Sequence, residues 1–312
     1  MSEQPQLPQS RPLQGTLWLA TAIVSWGALF SVAKRTLPVL DPFFLGAFRY
    51  AIGILIFVAI LWASEGRQAL RYGGRFVPAA LFGVVGFCGF NVLVWWGLVY
   101  TRPEHASVIM TLQTPMVALA LWFTRGLRPS NFTICCVALA IAGVVTVVTK
   151  GDPAHALAGG SLVGDLLVFL GAVSWMVYTL AGGYFSGWSP LRMTVLTCIP
   201  GTIGLIAINA FTIGMGYTKL PGLEQIASVW WQLAYFVVFS VILGVLGFNN
   251  AVKHLGALNT MLTMALIPVI VFGIEAALGQ SFSAIELVGA ALVIGALAGN
   301  NLHLRRRAAT AP

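Results

Sequence analysis

Arg49 stands seven residues after Pro42 inside an apolar run. On a helix that is ~10 Å along the axis. A charge so deep in an apolar segment has to face a polar partner or a cavity. Asn91 and Trp95, with Trp96 beside them, lie four apart and so share a helix face. They suit a ligand contact, and equally a hydrogen bond from Asn91 to a neighbouring helix backbone. Ser174, Trp175 and Tyr178 form a second polar and aromatic stripe, to which Trp26 from the start of the chain can be added. Aromatic walls accept apolar rings, and their faces attract ammonium groups. Ordinary interhelical packing accounts for the same stripe as well.

A second group lies nearer the helix ends. Ser107, Thr111 and Thr114 recur at helical spacing with Gln113 alongside, and Asn259, Thr260 and Thr263 repeat the theme later. Small hydroxyl residues serve close helix packing as readily as ligand contact. Asn250 and Lys253 share a face and suit a carboxylate, although Lys253 also reads as a snorkelling cation. In Arg102-Pro103-Glu104-His105, proline fits a first helical turn and glutamate complements the helix dipole. His105 there reads as a solvated histidine. Asp41, Glu104, Asp165, Glu275 and Glu286 all fall near segment ends, so no carboxylate is expected at mid-depth.

That inventory argues against catalysis. There is no His-Glu-x-x-His, no Gly-x-Ser-x-Gly, no Walker-type loop and no pair of intramembrane aspartates. Cys88, Cys135, Cys136 and Cys198 lie in apolar runs and read as packing residues, with no metal-ligand spacing. No enzyme activity, cofactor, metal or nucleic-acid partner is expected.

The elements that must hold these residues are transmembrane helices. Of 312 residues, 58% are hydrophobic and 8% charged. A soluble domain carries roughly 25% charged residues, so lipid has to be the solvent for much of this surface. Spans of roughly 20 apolar residues are predicted at 17–33, 42–63, 76–100, 104–124, 131–148, 162–184, 190–213, 230–252, 258–278 and 282–302. Residues 1–14 read as a disordered tail, 150–161 as a linker and 303–312 as a basic tail. With both termini on one side, that side holds Arg11, Arg67, Arg71, Arg75, Arg125, Arg128, Arg192, Lys253 and Arg305 to Arg307. Lys34, Arg35, Arg102, Lys150 and Lys219 fall on the other. Eleven against five predicts cytoplasmic termini.

The segments repeat. Trp26 and Trp175 are 149 residues apart, each in a Val-Ser-Trp and eleven residues after a glycine. Pro42 and Pro190 are 148 apart, Pro115 and Pro268 153, and Gly143 and Gly295 152. A Gly-Phe-Asn at 89–91 and again at 247–249 is out of step, at 158. Two units of five spans each, 15–149 and 162–302, must enter the membrane from opposite sides. The expected fold class is therefore an all-α integral membrane protein of ten helices in two inverted repeats. In transporters that architecture sets a substrate site at the midplane between the repeats.

On the Ser-Trp pairs, the prolines of helices four and nine, and the glycines of helices five and ten, the chain resembles the EamA-type exporters of the drug/metabolite transporter superfamily. Among them it resembles bacterial aromatic amino-acid exporters. It departs from such repeats in lacking their Leu-Gly-Glu, having Thr124-Arg125-Gly126 and Leu278-Gly279-Gln280 instead. The resemblance implies a secondary transporter of the bacterial inner membrane that exports small metabolites. Amino acids are the expected substrate, and drugs or other metabolites the alternative. The lipid bilayer and the small molecule would be its partners. Alternating access is expected around a cavity lined by helices one, three, four, six, eight and nine. The expected substrate contacts are Trp26, Arg49, Asn91, Trp95, Ser107, Gln113, Trp175, Tyr178, Asn250, Thr260 and Thr263.

Overall fold

Long apolar runs punctuated by Pro, Gly and charged clusters fold here as helices, because a backbone in lipid must satisfy its own hydrogen bonds. A computed structural model describes residues 12–152, 161–255, 260 and 264–310. Among them, nine helices are long and apolar enough to cross a membrane. They are α1 (Leu13–Thr36), α2 (Pro42–Glu65), α3 (Phe76–Tyr100), α4 (Pro103–Arg125) and α5 (Asn131–Thr149). The rest are α6 (Ser161–Phe185), α7 (Pro190–Gly214), α8 (Trp230–Leu255) and α10 (Ala284–Leu304). Between the last two lies a shorter apolar helix, α9 (Ile267–Ala277). No strand occurs among the described residues. The last helix continues to Thr310, so the basic residues after Leu304 extend a helix where a tail is expected. Residues 1–11 of the expected N-terminal tail lie outside the described residues, and Pro12 already begins a helix.

Local chemistry fixes the helix starts in matching pairs. Asp41 caps α2, its carboxylate accepting from the backbone N–H of Phe43 at 2.8 Å and of Phe44 at 3.4 Å, with Pro42 in the first turn. Ser189 caps α7 in the same way, accepting from Arg192 N–H at 3.0 Å ahead of Pro190. Helix α4 is broken at Thr111 and Leu112, four and three residues before Pro115. Ala265 and Leu266 form a like turn before Pro268. Proline lacks the N–H that would bond the carbonyl four residues back, and its ring crowds that carbonyl. In α7 the orphan left by Pro200 is the Leu196 carbonyl, and the Tyr72 hydroxyl donates to it at 3.0 Å. Burial pushes that phenol above its usual pKa, which keeps it a donor.

The packing obeys the repeat. Helix α1 lies along α8 and α6 along α3, pairs that interchange when the halves are exchanged. The α5–α10 and α2–α7 pairs map onto themselves. Both α3 and α8 contain a π-helical stretch, Val84–Gly89 and Phe236–Leu243. Each stretch meets the Ser-Trp helix of the other half. A Cβ at Gly86 would lie 2.4 Å from Tyr178, and one at Gly244 would lie 2.4 Å from Trp26. Only glycine allows that approach. Trp175 packs at a tilt on Phe90, ring centres 5.1 Å apart, and Trp26 does so on Phe248 at 5.7 Å. The two Gly-Phe-Asn segments thus make the same contact despite their spacing.

The two ends of the bundle differ. At the linker end, beside residues 150–152, the α4 half Pro103–Met110 buries Pro103 through Ile109. At the termini end, the other half, Gln113–Arg125, buries Pro115 alone. A groove of about 380 Å³ opens there between α4, the α4–α5 turn and α10.

Candidate functional site

Arg49 is 3% exposed and is the deepest charged residue of the described spans. The other charged residues and histidines lie within four residues of a span end. Helix α2 carries Arg49 into a cage built by its neighbours. Its guanidinium carbon sits 4.8 Å from the centre of the Tyr50 ring and 4.9 Å from that of Trp95. One terminal nitrogen is 3.5 Å from Ser240 Oγ on α8, and the other is 3.3 Å from the Tyr50 hydroxyl. Nε has no hydrogen-bond partner. Phe30 of α1 and Phe236 of α8 pack on Trp95 at 6.5 and 6.2 Å. Every group holding this cation is neutral, so its charge is solvated by ring faces and hydroxyls alone.

The π-helical stretches serve the cage. A π turn shifts hydrogen bonding by one residue and strands carbonyls. Trp26 Nε1 donates to the Ser240 carbonyl at 3.0 Å, while Ser240 Oγ faces Arg49. Asn91 Nδ2 donates to the Phe87 carbonyl at 2.6 Å and its Oδ1 accepts from Trp95 Nε1 at 2.9 Å. Asn91 therefore bonds its own helix, not a neighbouring one, and fixes the tryptophan that faces Arg49. Phe87 in turn contacts Tyr50, Trp175 and Tyr178 at 5.6, 5.9 and 5.1 Å.

Of the expected contacts, the structure brings together Trp26, Arg49, Asn91, Trp95, Trp175 and Tyr178. It leaves others apart. Ser107 is buried at the linker end and donates to the Glu104 carbonyl at 2.8 Å. Gln113 begins the second half of α4, with Nε2 3.7 Å from Met110 Sδ. Asn250, near the termini end of α8, donates to the Leu246 carbonyl at 2.8 Å. Thr260 is buried, whereas Asn259 and Thr263 lie outside the described residues. The cage draws on α1, α2, α3, α6 and α8, and helices four and nine of the expected lining contribute none of its named residues. Tyr50 and Ser240 escape a reading by residue type. The one available signal is that Tyr50 adjoins Arg49.

The linker end gathers a cluster of ion pairs. Arg35 on α1 forms a two-pronged bridge to Glu275 on α9, both contacts at 2.9 Å. Arg102 reaches Glu104 at 3.3 Å and Glu286 at 3.5 Å, and Lys150 reaches Glu286 at 3.3 Å. Lys34 donates to the carbonyls of Leu98, Val99 and Thr101 at 2.8, 2.9 and 2.7 Å. His105 is 2% exposed, which overturns the expectation of a solvated histidine. Packing of α4 against α6 covers it.

The EamA-like transporter family model matches twice, at residues 13–149 and 162–302. The uncharacterized transporter YrdR of Bacillus subtilis is 31% identical over 299 residues, covering 94% of this chain and 92% of its own. YyaM, another uncharacterized transporter of Bacillus subtilis, is 31% identical over 273 residues, covering 86% and 87%. A probable terminal-alkyne amino-acid exporter of Streptantibioticus cattleyicolor is 23% identical over 305 residues, covering 96% and 98%. A solved crystal structure superposes with a TM-score of 0.67 at 21% identity, over 94% of this chain and 98% of that one, and shares the fold. The chain is a multi-pass membrane transporter that belongs to the EamA-like family.

Proposed function

We propose that this transporter exports small amphipathic carboxylates, chiefly neutral and aromatic amino acids, by alternating access. The observation that carries the reading is Arg49, a buried guanidinium held by neutral groups between two aromatic rings. A carboxylate pairs with a guanidinium through two parallel hydrogen bonds, and the rings suit an apolar side chain. Trp26, Trp175, Tyr178, Asn91 and Trp95 position that cage or form its walls. The amino-acid exporter among the similar proteins lends support from a different direction. The repeats would rock as units 15–149 and 162–302 about linker 150–161. Eleven basic residues against five favour cytoplasmic termini in a bacterial inner membrane.

The test is flux in proteoliposomes with labelled tryptophan, phenylalanine, threonine and an aromatic amine lacking a carboxylate. Saturable movement of the amino acids, lost in Arg49→Gln, is the expected result. Flux of the amine alone, indifferent to Arg49→Gln, would replace this reading with drug or amine export.

A further inference from the structure

The ion pairs at the linker end are not alike. Arg35, Arg102 and Lys150 have side chains 42%, 40% and 30% exposed. His105 and Asp165 are both buried, with side chains 3% and 5% exposed. Nδ1 of His105 lies 3.4 Å from Oδ1 of Asp165, and the Thr101 hydroxyl donates to that same oxygen. Both ring nitrogens of His105 and Oδ2 of Asp165 are buried without a hydrogen-bond partner. Histidine is the side chain that changes charge near neutral pH. A bare carboxylate buried beside a neutral imidazole is costly, whereas one proton shared between them satisfies both.

We propose that His105 and Asp165 form a one-proton binding site that closes the linker end when occupied. This rests on the transport reading above and adds its coupling ion. In the occupied state imidazolium Nδ1–H faces the Asp165 carboxylate. In the empty state the proton has passed to water, leaving neutral imidazole and a bare carboxylate that draws water between the helices. The pair joins α4 of the first repeat to α6 of the second, so rocking of the repeats has to part it.

The surrounding charges are already engaged. From α1, Lys34 is held by three carbonyls and Arg35 by Glu275 of α9. From the start of α4, Arg102 serves Glu104 and Glu286, the latter on α10 and shared with Lys150 at the end of α5. Tyr100 at the end of α3 is half exposed. That leaves the His105–Asp165 pair, with its unpartnered ring nitrogens and carboxylate oxygen, facing each other.

The experiment has two readouts on the full-length protein. Hydrogen exchange in nanodiscs at pH 6 and pH 8, corrected for intrinsic rates, reads the site without any substrate. Backbone amides around Thr101 and Asp165 should lose protection by up to tenfold per pH unit, and Asp165→Asn and His105→Gln should abolish that dependence. In proteoliposomes, the ratio of flux with an imposed pH gradient to flux without one should exceed one in the native protein. In Asp165→Asn it should fall to one. Flux with the same ratio and the same exchange profile in native and both variants would overturn the proton site and leave transport standing. A pH-dependent exchange confined to the native protein, with no flux of any tested compound, would uphold the site and overturn the proposed substrate.

Discussion

Helix α4 shows within one element how the two ends of the bundle differ. Its linker-end half buries seven consecutive residues, Pro103 through Ile109, whereas its termini-end half buries Pro115 alone. The repeats that face each other are related in sequence and packing, so the asymmetry does not come from the architecture. It comes from side chains that cross between the repeats. At the linker end those are the ion pairs Arg35–Glu275 and Arg102–Glu286 and the buried contact of His105 with Asp165. At the other end the crossings include single hydrogen bonds, Arg192 to the Arg71 carbonyl at 2.7 Å and Arg75 to the Ser186 carbonyl at 3.1 Å. A charged latch on one side and weaker ties on the other describe a bundle closed toward the linker end.

Arg49 lies where the two ends meet, and its loss should have the largest effect. Arg49→Gln should lower carboxylate flux on the order of 30-fold or more, the cost of truncating one partner of a buried charge pair. Arg49→Lys should fall between, having a charge but no planar fork. Unchanged flux in both would move the substrate site elsewhere.

Next come the paired glycines. Gly86→Ala and Gly244→Ala should each cost about 1–3 kcal/mol through overpacking, read as thermal unfolding in detergent. Similar losses would confirm equivalent junctions; a harmless Gly244→Ala would break the equivalence. Tyr72→Phe should cost about 1 kcal/mol by stranding the Leu196 carbonyl. Combined with Pro200→Ala, which restores a backbone donor, the losses should not add.

The smallest effect belongs to Arg35, whose side chain is 42% exposed. Arg35→Gln should favour the linker-end-open form by about 0.5–1 kcal/mol, the screened worth of such a pair. Labelling of Thr36→Cys in a Cys135→Ser background should quicken several-fold. A rate equal to that of the Thr36→Cys parent would remove Arg35 from the latch.

The all-helical class, nine of the ten expected spans and the repeat were legible because twenty apolar residues and a recurring Val-Ser-Trp are features of composition and spacing. Arg49 was legible from depth. Its rings were only half so, since Trp95 was named but Tyr50 was not. The π-helical stretches carry no residue signature beyond a Gly-Phe-Asn that fell out of step. His105 and Asp165 were the least visible. Each reads as a helix-end group, and sixty residues separate them in the chain. Their partnership depends on how α4 and α6 meet, which no local pattern reports.

The break in α4 has an energetic consequence. Thr111 and Leu112 turn back on Val108 and Ile109, at 3.1 and 3.0 Å, and Pro115 has no N–H to offer across the gap. The termini-end half is therefore jointed to the linker-end half, as a door leaf is to a frame. Swinging it requires side chains to part from one another, with little backbone hydrogen bonding to tear. Access from that side should show a shallow Arrhenius slope, set by the sliding of apolar groups rather than by local helix melting.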